Sequence, residues 1–266
     1  MLQSSRRTAK AMPYQPIPLT IQTLGAFRCH LGNTPISTAQ WRSQRACELF
    51  LLLINSDGYS LSREYVCDQL WPNHLGDAAA NNLRVVLHRM RSALEPSHHA
   101  GSIVHADHYS ISLVLPSGSS VDSDEFRHAI AAARRCADER SALPLLRRAC
   151  DTYNGNYLAN LPLAEWAIPL RAKYATDYAG AVVRLGKMLL DRNLHSELVE
   201  RMWRAIDIDP SITEAHQLLA ASYTATGQSD THARVAARMH ALGLPTLSAS
   251  SIRPDSASKY PRVLTS

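Results

Sequence analysis

Apolar and polar positions alternate with period two from Ile17 to Ile36. Leu19 and Ile21, then Phe27, Cys29 and Leu31, fall on one side, and Gly32-Asn33 reads as a turn. This predicts a short antiparallel sheet. The period then lengthens. Trp41 to Ile54 is dense in apolar residues and predicts a core helix, stopped by Asp57-Gly58. Ser62 can cap a second helix over Arg63 to Trp71, with Val66, Leu70 and Trp71 inward, and Pro72 ends it. A third helix runs from Asp77 to Glu95. Its Leu83, Val86, Leu87, Met90 and Leu94 make an apolar face. After Pro96, Ile103-Val104-His105 and the alternation Tyr109, Ile111, Leu113, Leu115 predict a hairpin joined through Ala106-Asp107-His108.

Strands, three helices and a hairpin in that order describe a winged helix-turn-helix. Pro116 to Ser120 reads as a polar linker, and the chain beyond it is nearly all helix. Helical periodicity covers Phe126–Cys136, Ala142–Cys150, Tyr174–Leu190, Glu197–Ile208, Glu214–Thr224 and Thr231–Leu242. The last four form two helix–turn–helix units at a spacing of about 34 residues, the period of a tetratricopeptide repeat. The fold class expected is mainly α with small β: a winged helix-turn-helix domain followed by an all-α tetratricopeptide-like repeat domain. The expected boundaries are a disordered tail at 1–16, the winged helix at 17–115, the repeat domain at 121–243 and a flexible tail at 244–266.

Charge changes the picture only once it is located. The net charge of +5 comes from the tails: Arg6, Arg7 and Lys10 at one end, Arg253, Lys259 and Arg262 against Asp255 at the other. Residues 17–115 carry seven basic and seven acidic side chains. Of those seven cations, Arg84, Arg89 and Arg91 lie within one stretch of the third helix. Arg84, His88 and Arg91 recur at i, i+4 and i+7 opposite its apolar face. A helix with one greasy side and one cationic side suits the major groove of DNA, where guanidinium groups grip phosphates or the N7/O6 edge of guanine. Asn81 has the chemistry to read adenine. Arg84, His88 and Arg91 are the expected base or phosphate contacts, and Arg89 a phosphate contact. Arg45 and Trp41, near the first helix's start, are expected to position the DNA backbone.

Other chemistry is missing from the chain. The five cysteines are widely spaced and form no CxxC pair, which argues for reduced thiols and against zinc; Cys47 and Cys67 read as small buried fillers. His98, His99, His105 and His108 cluster around the hairpin and read as incidental or weak phosphate contacts rather than metal ligands. No GxxxxGK[ST], GxSxG or HExxH motif occurs, so no nucleotide cofactor and no enzyme activity are expected. Trp166 and Trp203 read as core residues rather than a ligand cage. No apolar window is long enough for a membrane span and no apolar signal core follows the N-terminal cations, which predicts a cytoplasmic protein.

Leu24-Gly25-Ala26-Phe27, LSREYVCDQLWP (61–72) and NNLRVVLHRMRSAL (81–94) resemble the OmpR-type winged-helix DNA-binding domain. The resemblance implies a third helix in the major groove and a hairpin wing, here His108-Tyr109 where the family usually carries Gly-Tyr, on the backbone or minor groove. It also implies a loop, 72–77, able to contact RNA polymerase. No receiver domain is expected ahead of the first strand, since about 18 residues precede it. Val121 to Phe126, Tyr153 to Leu158, Trp166 with Arg171, and residues 204–228 resemble the bacterial transcriptional activator domain of regulators of the Streptomyces antibiotic regulatory protein type. Together the two imply a sequence-specific DNA-binding activator with double-stranded DNA and RNA polymerase as partners. It is expected to occupy repeated half-sites as two copies, with the repeat domain serving dimerisation or partner contact. A rival reading, favoured by the zero net charge of 17–115, is an interaction scaffold whose winged helix does not bind DNA; a third is a repressor with the same fold, since fold alone does not set the sign of regulation.

Overall fold

A computed structural model describes residues 17–73, 77–95 and 102–245. Most of both expected tails, part of the 72–77 loop, and His98 and His99 lie outside them. The chain divides into two units: 1–123 with 158–168, and 124–157 with 169–266.

The first unit starts as its alternation predicts. β1 (Leu19–Gln22) pairs antiparallel with β2 (Arg28–Leu31) in the register Leu19 to Leu31 and Ile21 to Cys29, and β3 (Thr34–Pro35) follows the turn at Gly32. Leu19, Ile21 and Cys29 are buried. The expected helix over Trp41–Ile54 is two helices, α1 (Thr38–Trp41) and α2 (Gln44–Ile54). Two caps within six residues break it. Ser37 and Gln40 form a capping box, and the Ser43 hydroxyl accepts from Ala46 N–H at 3.1 Å. Arg42 between them takes a left-handed φ of 56°. α2 is buried along nearly its whole length, as its composition requires.

A short strand, β4 (Ser60–Ser62), follows Gly58 at φ 62° and leads into α3 (Arg63–Leu70), capped by Ser62. Trp71, expected inward, is half-buried at the helix's end. α4 (Asp77–Leu94) spans the expected third helix, with Leu83, Val86, Leu87, Met90, Ala93 and Leu94 buried. Each of these side chains except Ala93 contributes about 1.5–3 kcal/mol relative to exposure, and this holds the helix by one side. The hairpin is β5 (Val104–Ala106) and β6 (Ser110–Leu113), with β4 on the other edge of β6.

The stretch expected as a linker ends in a strand. β7 (Ser120–Val121) adds parallel to β1, and Ser119 Oγ accepts from Leu19 N–H at 2.9 Å. Beside it the Asp122 carboxylate accepts from Thr23 N–H at 2.8 Å, Thr23 Oγ1–H at 2.7 Å and Leu24 N–H at 2.9 Å. Burial pushes the Asp122 carboxyl up against these donors, which favour its charged form. Residues 158–168 also belong to this unit: Leu158 and Ala159 donate to Thr23 and Gly25 carbonyls at 2.8 and 2.9 Å.

The second unit is built from α5 (Asp122–Arg135), α6 (Glu139–Thr152), α7 (Ile168–Asp191), α8 (His195–Ile208), α9 (Thr213–Ala225) and α10 (Ser229–Ala241). The two repeats are α7 with α8 and α9 with α10. An aromatic cluster fills one end: Tyr153 stacks on Tyr178 at 4.2 Å between centroids, and Phe126 meets Tyr153 and Tyr174. Gly186 lets α7 approach its neighbours, since a Cβ there would lie 2.7 Å from Leu218 Cδ1. Trp203 is half-buried, donating to Tyr223 Oη at 3.1 Å under the Arg238 guanidinium. Trp166, in the first unit, is also half-buried.

Candidate nucleic-acid interface

With its apolar side buried, α4 turns Asn81, Arg84 and His88 to solvent, while Arg89 and Arg91 are half-buried at the margins. A helix advances about 100° per residue. Asn81 and His88 therefore project within about 20° of each other along the line pointing away from the core. Arg84 and Arg91 lie roughly 50–70° to one side of that line, and Arg89 about 90° to the other. The outward stripe is thus polar along its middle and cationic on both flanks. Arg84 Nη1 donates to Asn81 Oδ1 at 3.2 Å, so two of the expected residues already share one hydrogen bond.

The hairpin reaches solvent beside α3. Tyr109 at its tip is 84% exposed and His108 is exposed. No left-handed residue is needed in this turn: the residues with positive φ lie elsewhere. Asp107 does the turning instead. Its Oδ1 accepts from Tyr109 N–H and Ser110 N–H, each at 2.7 Å. Those backbone donors, Ser110 first and then Tyr109, hold the Asp107 carboxyl below its usual range. Arg63, the first residue of α3, ties the tip from below, donating its N–H to Tyr109 O at 2.9 Å and its Nη1 to Asp107 O at 3.1 Å.

A further link joins helix to hairpin. Glu95, one residue past α4, accepts from Ile103 N–H at 2.7 Å and Val104 N–H at 2.8 Å through Oε1. This fixes where β5 begins relative to the end of α4. The apolar pattern of the chain gives no hint of this clamp. A glutamate at a helix C-terminus runs against the helix dipole, and that misplacement is the available signal.

Two expected contacts sit differently. Trp41 is 2% exposed, its ring 5.1 Å from that of Phe50 and 6.2 Å from that of Phe27, so its place is in the core and not on a DNA backbone. The apolar run begins at this tryptophan, which makes it look like the outer end of a single helix. Arg45 is about half exposed but donates at 2.7 Å to Glu48, which is 2% exposed; part of its charge answers a buried carboxylate. Among the described residues no group of three or more His, Cys, Asp or Glu could hold a metal ion, and none of their helices is long and apolar enough to cross a membrane.

Residues 121–237 match the family model of the bacterial transcriptional activator domain. A solved structure of Mycobacterium tuberculosis EmbR, in complex with a low affinity phosphopeptide, is similar in fold: TM-score 0.60, 16% sequence identity, 85% of this chain covered. This chain spans 60% of that one. No curated protein matches the sequence.

Within the activator domain, α6 and α8 are joined by ions. Arg147 grips Glu197 with two bonds of 2.7 and 2.6 Å, and Arg201 binds Asp151. Arg204 donates at 2.9 Å to Asn154 Oδ1 in the turn after α6. The RAIDIDP stretch (204–210), part of the residues that carry the resemblance, therefore contributes one cation, Arg204, to this contact as well as the turn at Asp209-Pro210.

Proposed function

We propose that this chain is a sequence-specific DNA-binding regulator of transcription, acting as an activator. Its α4 lies in the major groove of double-stranded DNA, with Asn81, Arg84 and His88 at base edges and Arg89 and Arg91 on phosphates. Arg45 adds a backbone contact, and the wing residues His108 and Tyr109 meet the backbone or minor groove. Two copies occupy repeated half-sites. The repeat domain supplies dimerisation or partner contact, and the loop 72–77 supplies contact with RNA polymerase.

The single observation behind this reading is the division of α4: one side is buried while the opposite side gathers three of the seven cations of residues 17–115, together with Asn81. Protein–DNA affinity falls steeply with salt when several phosphates are contacted. The test takes a duplex selected by the full chain from a random pool. Replacing Arg84 or Arg91 by Ala should weaken binding by about 1–3 kcal/mol where the contact is bidentate to a base, and flatten the salt slope where it is to phosphate. Unchanged affinity and slope in the double variant overturn the assignment.

The charge balance of residues 17–115, seven basic against seven acidic, favours a second reading, a repeat scaffold whose winged helix does not bind DNA. Such a protein shows no sequence-selective retention of duplex at any salt concentration.

A further inference from the structure

Val85 stands out on α4. It is 50% exposed, whereas the other large aliphatic side chains of the helix, Leu83, Val86, Leu87, Met90 and Leu94, are buried. A valine on an open helix surface loses side-chain freedom and forms helix less readily than alanine, lysine or glutamate. Half exposed, it gains less from the core than its buried neighbours. Its position is also particular. At about 100° per residue Val85 lies roughly 50° from the outward line of α4, on the side opposite Arg84, and one turn from both Asn81 and Arg89. The outward stripe therefore carries, between its polar midline and the Arg89 flank, two methyl groups with no counterpart on the Arg84 side.

In the major groove one base-pair feature is apolar: the C5 methyl of thymine, which apolar side chains read by contact. We propose that Val85 is a specificity-determining residue that packs against a thymine methyl in the bound site. This rests on α4 entering the major groove, the reading proposed for the helix as a whole. Arg84 and Asn81 then read polar base edges while Val85 selects thymine over cytosine at a neighbouring pair. The selection works both ways: beside Val85, cytosine would offer its amino donor to a side chain that accepts nothing.

Deoxyuridine provides the test, since it pairs as thymine does and lacks only the methyl. The full chain first selects duplexes from a random pool. Each thymine of the best duplex is then replaced singly by deoxyuridine. One position per half-site should bind about threefold to fourfold more weakly, the loss expected for one buried methyl. Val85→Ala should bind the parent duplex more weakly and be indifferent to deoxyuridine at that position alone. Alanine is the better helix former, and a thermal melt by circular dichroism confirms that the variant is folded. Selective binding with no deoxyuridine effect, or an effect that Val85→Ala leaves intact, overturns the role of Val85 and leaves the groove reading standing. No selective binding at all overturns both.

Discussion

The carboxylate of Asp107 receives the backbone N–H of Tyr109 at 2.7 Å, and with it that of Ser110. One side chain thereby shapes a turn for which a glycine is the commoner solution, and leaves Tyr109 standing 84% exposed at its tip. Asp107→Ala should speed amide exchange at Tyr109 and Ser110, leave α4 protected, and weaken binding of the selected duplex. Wild-type exchange rates at both amides sink this account.

The same contact sets a pH dependence. A carboxyl held below its unfolded value stabilises the turn above the ordinary carboxylate pKa of about 3.9, and that stability is lost as pH falls through the depressed folded value. Followed by NMR, Asp107 should titrate below the usual range, with protection at Ser110 lost along the same curve. Titration at or above about 3.9 contradicts it.

Glu95 offers a test of positioning without contact. Glu95→Ala removes the acceptor for Ile103 and Val104 N–H, and unpaired backbone donors cost about 1–3 kcal/mol when buried. Removing an anion alone would favour DNA. A fall in affinity despite the added positive charge, rescued in part by Glu95→Gln, marks the clamp. Tighter binding by Glu95→Ala shows that charge alone matters there.

Asp122→Ala strands the N–H groups of Thr23 and Leu24 together with the buried Thr23 hydroxyl. Urea unfolding of the full chain should show a loss of about 2–4 kcal/mol. A change under about 0.5 kcal/mol, the scale of an ordinary surface substitution, rejects the role given to this carboxylate.

Burial pushes the thiols of Cys29, Cys47 and Cys150 up to about 12, and thiolate is the reactive form. Cys67 and Cys136 are only half-buried. Iodoacetamide at about pH 8, near the ordinary thiol pKa, should label those two in the native protein and all five in urea. Rapid native labelling of Cys47 contradicts its burial.

What the chain's pattern made legible was whatever a long periodic run encodes. α4 and its buried face can be read because five apolar residues recur at helical spacing along its 18 residues, and the repeats because their period recurs. The family match over 121–237 accords with the residues that suggest it. The rest turns on short or distant partners. β4 and β7 are three and two residues long, below what alternation can signal. Trp41 is misplaced in the sequence pattern because two caps, Ser37 and Ser43, make two helices where the run reads as one. Cys67, expected as a buried filler, is half-buried because it lies at the side of a short helix. Val85 lies off the apolar face that helical spacing picks out, and periodicity alone gives it no role.

The parallel pairing of β1 with β7 joins Thr20 to Ser120. During synthesis at about 5–20 residues per second, the first strand waits roughly 5–20 s for its neighbour to leave the ribosome. Until then one flank of that sheet is open to any other extended chain.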